Sequence, residues 1–231
     1  MSKLFKLFDR IWRGVIHFPK TLYINFKALP LKQAVHLPII VMSACKLKGI
    51  RKNSIVIDGD LSKGMIKLGP LKSGGSGVAL KGKTSIILKK EGSLLFHGSA
   101  SIGSGTAICV TKGKIEFGDR FSCNVNCFFS SNTLISFGKD NLLGWNVNIR
   151  DDDGHPIYNE AREITNHANP VIINERVWIA SCADILKGVT IAEGSIIGYR
   201  SLVTKSIEEK NTISAGVPAK IVKRGAYWEH N

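Results

Sequence analysis

Ile173, Ile179, Ile185, Ile191, Ile197 and Val203 stand six residues apart without a break. At the chain's 44% apolar content, six such successes would arise about once in a hundred trials per register, and all six are also β-branched. Four residues after each come Val177, Ala183, Val189, Ser195, Ser201 and Ile207, all small or apolar. Glycine recurs at Gly188, Gly194 and Gly198, where tight corners need it. A helix repeats at 3.6 residues and a lone strand at 2, so a strict six fits neither. It fits a short strand plus a corner, three of which close one triangular rung. Rungs then stack at about 4.8 Å by sheet pairing, with the repeated side chains inward.

The same period is readable upstream at Phe96, Ile102 and Ile108, and at Phe137, Leu143 and Ile149. It slips at Lys112–Lys114 and Ser130–Asn132, which predicts loops leaving the coil there. Ile55, Ile57, Leu61, Ile66, Leu68 and Leu71 predict weaker opening rungs, followed by a flexible stretch over Ser73–Gly77. The longest break, about Gly154 to Pro170, carries His155, Pro156, Tyr158, Glu160, Arg162 and His167. Long loops on repeat scaffolds usually carry function or partner contacts. The expected organisation is a basic helical extension over 1–52, a β-helix over 53–222 with the ejected loop near 154–170, and a tail over 223–231.

Charge is unevenly placed. Of the net +14, eleven Lys and Arg side chains lie before residue 53, opposed only by Asp9. No recognised nucleic-acid motif or interleaved aromatic stripe accompanies them, so no nucleic-acid partner is expected. An anionic lipid surface or a phosphorylated small molecule fits better. Leu4, Phe8, Ile11 and Val15 mark one helical face, widened by Phe5, Leu7 and Trp12, with Lys3, Lys6, Arg10 and Arg13 opposite. Such a helix either makes a peripheral membrane contact or packs its apolar face on the coil or a neighbouring subunit. The longest largely apolar run, Ala34 to Cys45, is interrupted by His36 and Pro38 and falls short of the ~20 residues that span a bilayer. Five cysteines without a CxxC pair point to a reducing compartment, and a cytoplasmic location is expected. Cys109, Cys123, Cys127 and Cys182 fall at or beside core positions of the repeat.

Four phrases carry a resemblance. They are Asp151-Asp152-Asp153-Gly154-His155-Pro156-Ile157-Tyr158, then Val177-Trp178-Ile179-Ala180, then Ile185-Leu186-Lys187-Gly188-Val189-Thr190-Ile191, and Val203-Thr204-Lys205 followed by Ala215-Gly216-Val217-Pro218-Ala219-Lys220. In this order and spacing they resemble the bacterial hexapeptide-repeat acyltransferases, including maltose, galactoside and capsular-polysaccharide O-acetyltransferases. Tyr23-Ile24-Asn25-Phe26 and Lys32-Gln33-Ala34 resemble, more weakly, the leader of exopolysaccharide-type members. The resemblance implies an all-β, left-handed parallel β-helix, a homotrimer, and acyl-CoA bound in clefts between subunits. The sequence departs from the pattern at Ala180 and Ala192, where glycine is common, and at Lys187, where proline is common. Tyr199-Arg200 replace a small pair after Gly198 and would narrow or recharge the CoA cleft.

Acetyl transfer from a thioester to a hydroxyl needs a base for the hydroxyl proton and donors for the developing oxyanion. His155 occupies the catalytic position that the resemblance implies, and histidine suits the base near neutral pH. Asp151 or Asp153 could hold its second nitrogen, or could equally bond their own turn. Trp178 is implied to line the acceptor or acyl pocket, and the amides at Ala180 and Ser181 to supply the donors. Asn124 and Asn126 resemble acceptor-binding asparagines, though stacked corners use asparagine structurally too; Asn146 and Asn148 read as structural. Gly198, Lys205, Lys220, Lys223 and Arg224 match the CoA end of the family. Acetyl-CoA enters as acyl-donor substrate. His97, His155 and His167 are unsuitably spaced for the three-histidine zinc site of γ-class carbonic anhydrases, so no metal is expected.

The expected function is an acetyl-CoA-dependent O-acetyltransferase acting on a sugar hydroxyl in capsule, lipopolysaccharide or exopolysaccharide assembly. An N-acetyltransferase of an amino-sugar nucleotide is the nearest alternative, and a noncatalytic trimeric scaffold a more distant one.

Overall fold

The computed structural model describes residues 3–70 and 82–229, the side chains of 3–14 excepted; the expected Ser73–Gly77 stretch and Leu71 lie outside the described residues. Among those described, the strands form three parallel sheets of nine, seven and six strands, closed at the bottom by one antiparallel hairpin. The chain visits them cyclically: Ala100–Ile102 on face I, Ala107–Val110 on face II, Lys114–Phe117 on face III, then Phe121–Cys123 on face I again. This is a β-helix, and the expected all-β class is observed.

Each repeated side chain stacks on its copy. Ile173 pairs in register with Ile191 on face III, Ile179 with Ile197 on face I, and Ile185 with Val203 on face II. All six are buried. At roughly 1.5–3 kcal/mol for each large side chain taken from water, the column is the main source of cohesion.

Where the period slips, the chain does not leave the coil. Lys114 opens the strand Lys114–Phe117, and Ser130 and Ser131 end the strand Phe128–Ser131. These strands, like Ala107–Val110 before them, are four residues long instead of two, so each turns a second side chain inward, such as Val110 or Ile115. The middle rungs are therefore wider, and phenylalanines fill them. Phe117 stacks between Phe96 and Phe137, with centroids at 4.9 and 5.5 Å, and Phe121 and Phe129 complete the cluster.

Sheet pairing also begins upstream of residue 53. Ile39–Val41 pairs with Ile66–Leu68, and Cys45–Lys48 with Thr84–Leu88. Above them helix α1 runs from Lys3 to Ala28, so only part of the 1–52 extension is helical. The second half of α1 closes the open end of the coil. Asn25 Nδ2 donates to Ile39 O (2.7 Å) while its Oδ1 accepts from Ile39 N (3.2 Å), and Thr21 Oγ1 accepts from Val41 N (3.0 Å). These side chains occupy the exposed edge of the first strand, where another chain would otherwise pair. Among the described residues no helix is long and apolar enough to cross a membrane.

Two edges turn through left-handed residues stacked rung on rung. Gly105, Asn126, Asn146, Cys182 and Arg200 make the I/II edge, and Arg120, Asp140, Arg176, Gly194 and Asn211 the III/I edge, all with φ between 53° and 78°. Asparagine tolerates this conformation better than most residues, which accounts for Asn126 and Asn146. The cysteines are all free, and Cys45, Cys123 and Cys127 are buried. Burial raises the Cys45 thiol to about 11.

Candidate active site

The ejected segment leaves between Asn148–Arg150 on face II and Val171–Ile173 on face III, so it projects from the II/III edge. Asp151 fixes its base. Its buried carboxylate accepts from Ser131 Oγ (2.8 Å), Asn132 N (2.7 Å), Thr133 N (2.8 Å) and Thr133 Oγ1 (3.0 Å), all on the corner one rung above. With those lone pairs taken, Asp151 does not orient His155. Further out the loop folds into a small hairpin, with Tyr158 bridged to Ile164 and Thr165 N donating to Ile157 O (2.8 Å).

Asn166 ties the neck of that hairpin. Its Nδ2 donates to His155 O (2.8 Å) and Asp153 Oδ2 (2.8 Å), and its Oδ1 accepts from Ile157 N (2.6 Å). Asp153 Oδ2 also takes the Lys187 ammonium at 2.5 Å. The ammonium first, then the Asn166 amide, hold the Asp153 carboxyl below its ordinary range. Asp153 is thus a loop anchor, with no hydrogen bond to the His155 ring. Asp152 shifts the other way, raised by partial burial and by Asp151 and Asp153 beside it.

These contacts clamp the main chain at His155 and leave its imidazole exposed, with no hydrogen bond among the described residues. It borders a cavity of about 240 Å³, lined also by Asn132, Asp152, Pro156, Asn166 and His167. A histidine held by its backbone with both ring nitrogens open can accept a proton from an incoming hydroxyl.

The other expected site residues stand elsewhere on the prism. Trp178 points outward from face I, which lies opposite the II/III edge. Asn124, Asn126, Ala180, Ser181 and Gly198 cluster on the I/II edge, after the face I strands. Within one subunit the fold does not bring His155 and this group together.

On the I/II edge the amides differ. Ala180 N–H is committed to Ile197 O (2.8 Å), whereas Ser181 N–H makes no hydrogen bond among the described residues. Ser181 Oγ accepts from Trp145 N (3.2 Å). Gly144 makes room for this approach, since a Cβ there would lie 2.5 Å from Ser181 N. Gly198 is likewise fixed by packing, as its Cβ would meet that of Ala215 at 2.8 Å. Asn124 N–H donates to Leu143 O (2.9 Å) and its half-buried side-chain amide has no hydrogen bond among the described residues, while Asn126 packs its Oδ1 against Gly105.

Lys205 lies on the II/III edge below His155, and Lys220 and Lys223 on the last strand, Ala219–Lys223; all three are exposed and make no ion pair among the described residues. Arg224 is engaged with Glu209 (3.0 Å). Uncommitted ammonium groups of this kind are free to meet anionic oxygens. Among the described residues no three metal-ligating side chains converge, and His97 is bonded to Asp58 (2.8 Å).

Three contributors were not foreseen. Lys187 registered only as a departure from proline, and Asn166 gave no signal at all. Trp228, in the tail, donates its indole N–H to Arg176 O (2.8 Å) and sets its ring 6.2 Å from that of Trp178.

The parallel prism of six-residue steps is the left-handed β-helix fold, shared with a solved O-acetyltransferase. Over part of its length the chain is similar in sequence to curated O-acetyltransferases. No protein-family model matches it. The galactoside O-acetyltransferase of Escherichia coli K12 is 34% identical over 110 residues, 47% of this chain and 53% of that protein. The polysialic acid O-acetyltransferase of Escherichia coli O1:K1 is 32% identical over 147 residues, 63% of this chain and 41% of that protein. The chain spans about half the length of the first curated relatives it matches. Among solved structures, the polysialic acid O-acetyltransferase OatWY superposes with a TM-score of 0.54 at 25% identity, covering 84% of this chain and 87% of that one.

Proposed function

We propose that the protein is an acetyl-CoA-dependent O-acetyltransferase that modifies a sugar hydroxyl of a capsular, lipopolysaccharide or exopolysaccharide glycan in the cytoplasm. The observation that carries this reading is His155. Among the described residues the coil expels a long loop, clamps its main chain through Asn166, and leaves the imidazole open beside a cavity. The likeness to proteins named for galactoside and polysialic acid O-acetylation supports a sugar acceptor.

In this reading His155 takes the proton of the acceptor hydroxyl as its oxygen attacks the thioester carbonyl. The carbon–oxygen bond forms, the carbon–sulfur bond breaks, and the proton passes from His155 to the departing thiolate. Ser181 N–H faces the negative charge that develops on the carbonyl oxygen. Lys205, Lys220 and Lys223 hold the phosphates of the donor. Because His155 and Ser181 occupy different edges, the site is completed between subunits, which calls for a homotrimer. Trp178 and Asn124 then line the acceptor side.

The test is thiol release from acetyl-CoA, measured with galactosides and with sialic-acid polymers as acceptors. Release that requires the acceptor, and a product from which mild alkali removes the acetyl group as an ester must, support the proposal. An alkali-stable amide product would reassign the chain to N-acetylation. Absence of CoA binding by calorimetry would overturn the enzyme reading and leave a scaffold.

A further inference from the structure

Helix α1 uses only one face to close the coil. Thr21, Ile24, Asn25 and Ala28 are buried against the first strands, whereas Val15, Phe18, Leu22 and Phe26 are 61, 48, 37 and 50% exposed. Steps of three, four and four residues place those four on one stripe of the helix. That stripe faces away from the coil, and the exposed Leu31 and Val35 extend the apolar surface beyond the helix. Single exposed apolar residues are ordinary; a continuous row of them marks a contact surface.

The sequence that carries the row is cationic. Between Asp9 and Asp58 the sequence contains no acidic residue; Lys27 and Lys32 are exposed at this end of the coil, while Lys20 donates to Cys45 O (2.5 Å). A second copy of the chain placed cap to cap would set these like charges against one another. The partner must be apolar within and anionic outside. We infer that this end of the coil docks on an anionic lipid bilayer, with α1 lying in the interface. Val15, Phe18, Leu22 and Phe26 enter the acyl region, and Lys27 and Lys32 remain at the headgroups. The inference is independent of the acetyltransferase reading, because docking needs no acyl donor.

The experiment is sedimentation of the full chain with phosphatidylglycerol-rich vesicles and with pure phosphatidylcholine vesicles, at low and high salt. The expected result is binding to the first only, weakened as salt shortens the Debye length. Leu22→Glu combined with Phe26→Glu should lower partitioning by roughly tenfold or more, as should Lys27→Glu with Lys32→Glu. Both pairs are exposed, so acetyl-CoA binding and the oligomer mass should stay unchanged. Wild-type protein that ignores phosphatidylglycerol-rich vesicles at low salt would overturn the inference. So would a changed oligomer mass in the Leu22/Phe26 variant, which would make the row a subunit contact.

Discussion

The Lys187 ammonium lies 2.5 Å from the Asp153 carboxylate, and this pair joins the His155 loop to the rung beneath it. Lys187 also donates to Asn166 O (3.2 Å), so one side chain holds both arms of the loop. Lys187→Ala should leave global stability within about 0.5 kcal/mol, since the pair is partly exposed. Amide exchange across residues 157–166 should rise by up to about fivefold. Turnover should fall with it, because His155 loses its fixed position. Unchanged exchange would show that Asn166 alone sets the loop.

The same pair gives the loop a pH dependence. The Asp153 carboxyl is held below its ordinary range in the folded protein, chiefly by Lys187. Its contribution is therefore complete above the usual aspartate value of about 3.9 and lost as pH falls through the lowered one. Exchange of the loop, corrected for its intrinsic pH dependence, should increase only below about pH 4. Lys187→Ala should abolish that step. A transition near neutral pH would assign the anchor to another group.

Phe117→Ala should destabilise the coil by about 3–5 kcal/mol, because the ring is fully buried between Phe96 and Phe137. Chemical denaturation measures this directly. A loss below about 1 kcal/mol would mean that neighbouring rungs collapse into the space.

The uninterrupted steps from Ile173 to Val203 were legible because the strands from Trp178–Ile179 to Leu202–Val203 are all two residues long and the corners between them are equal. The middle rungs were not, because Val110 and Ile115 add inward positions that shift the count, and the slip mimics a loop. Ile39–Val41 was obscured for a different reason. Its edge is completed by side chains of Thr21 and Asn25, and no repeat encodes that. For the site, His155 stood out through its place in the longest break. The task of Asp151 did not, since its partners Ser131, Asn132 and Thr133 lie a full rung away. Local spacing shows a turn-forming aspartate in either case.

His155→Ala should lower kcat by roughly 10²–10⁴. The melting temperature should hardly move, since the exposed ring makes no hydrogen bond among the described residues. Unaltered turnover would make His155 a loop residue and shift the search for a base to His167, which lines the same cavity.

The most direct measurement is mass spectrometry of a glycan acceptor incubated with the wild-type protein and acetyl-CoA up to about 1 mM, the upper end of common KM values. The account predicts a gain of one acetyl group per modified sugar, alkali-labile, dependent on enzyme, and nearly absent with His155→Ala. No acetylated product across galactoside and sialic-acid acceptors, together with no acetyl-CoA binding, would contradict it.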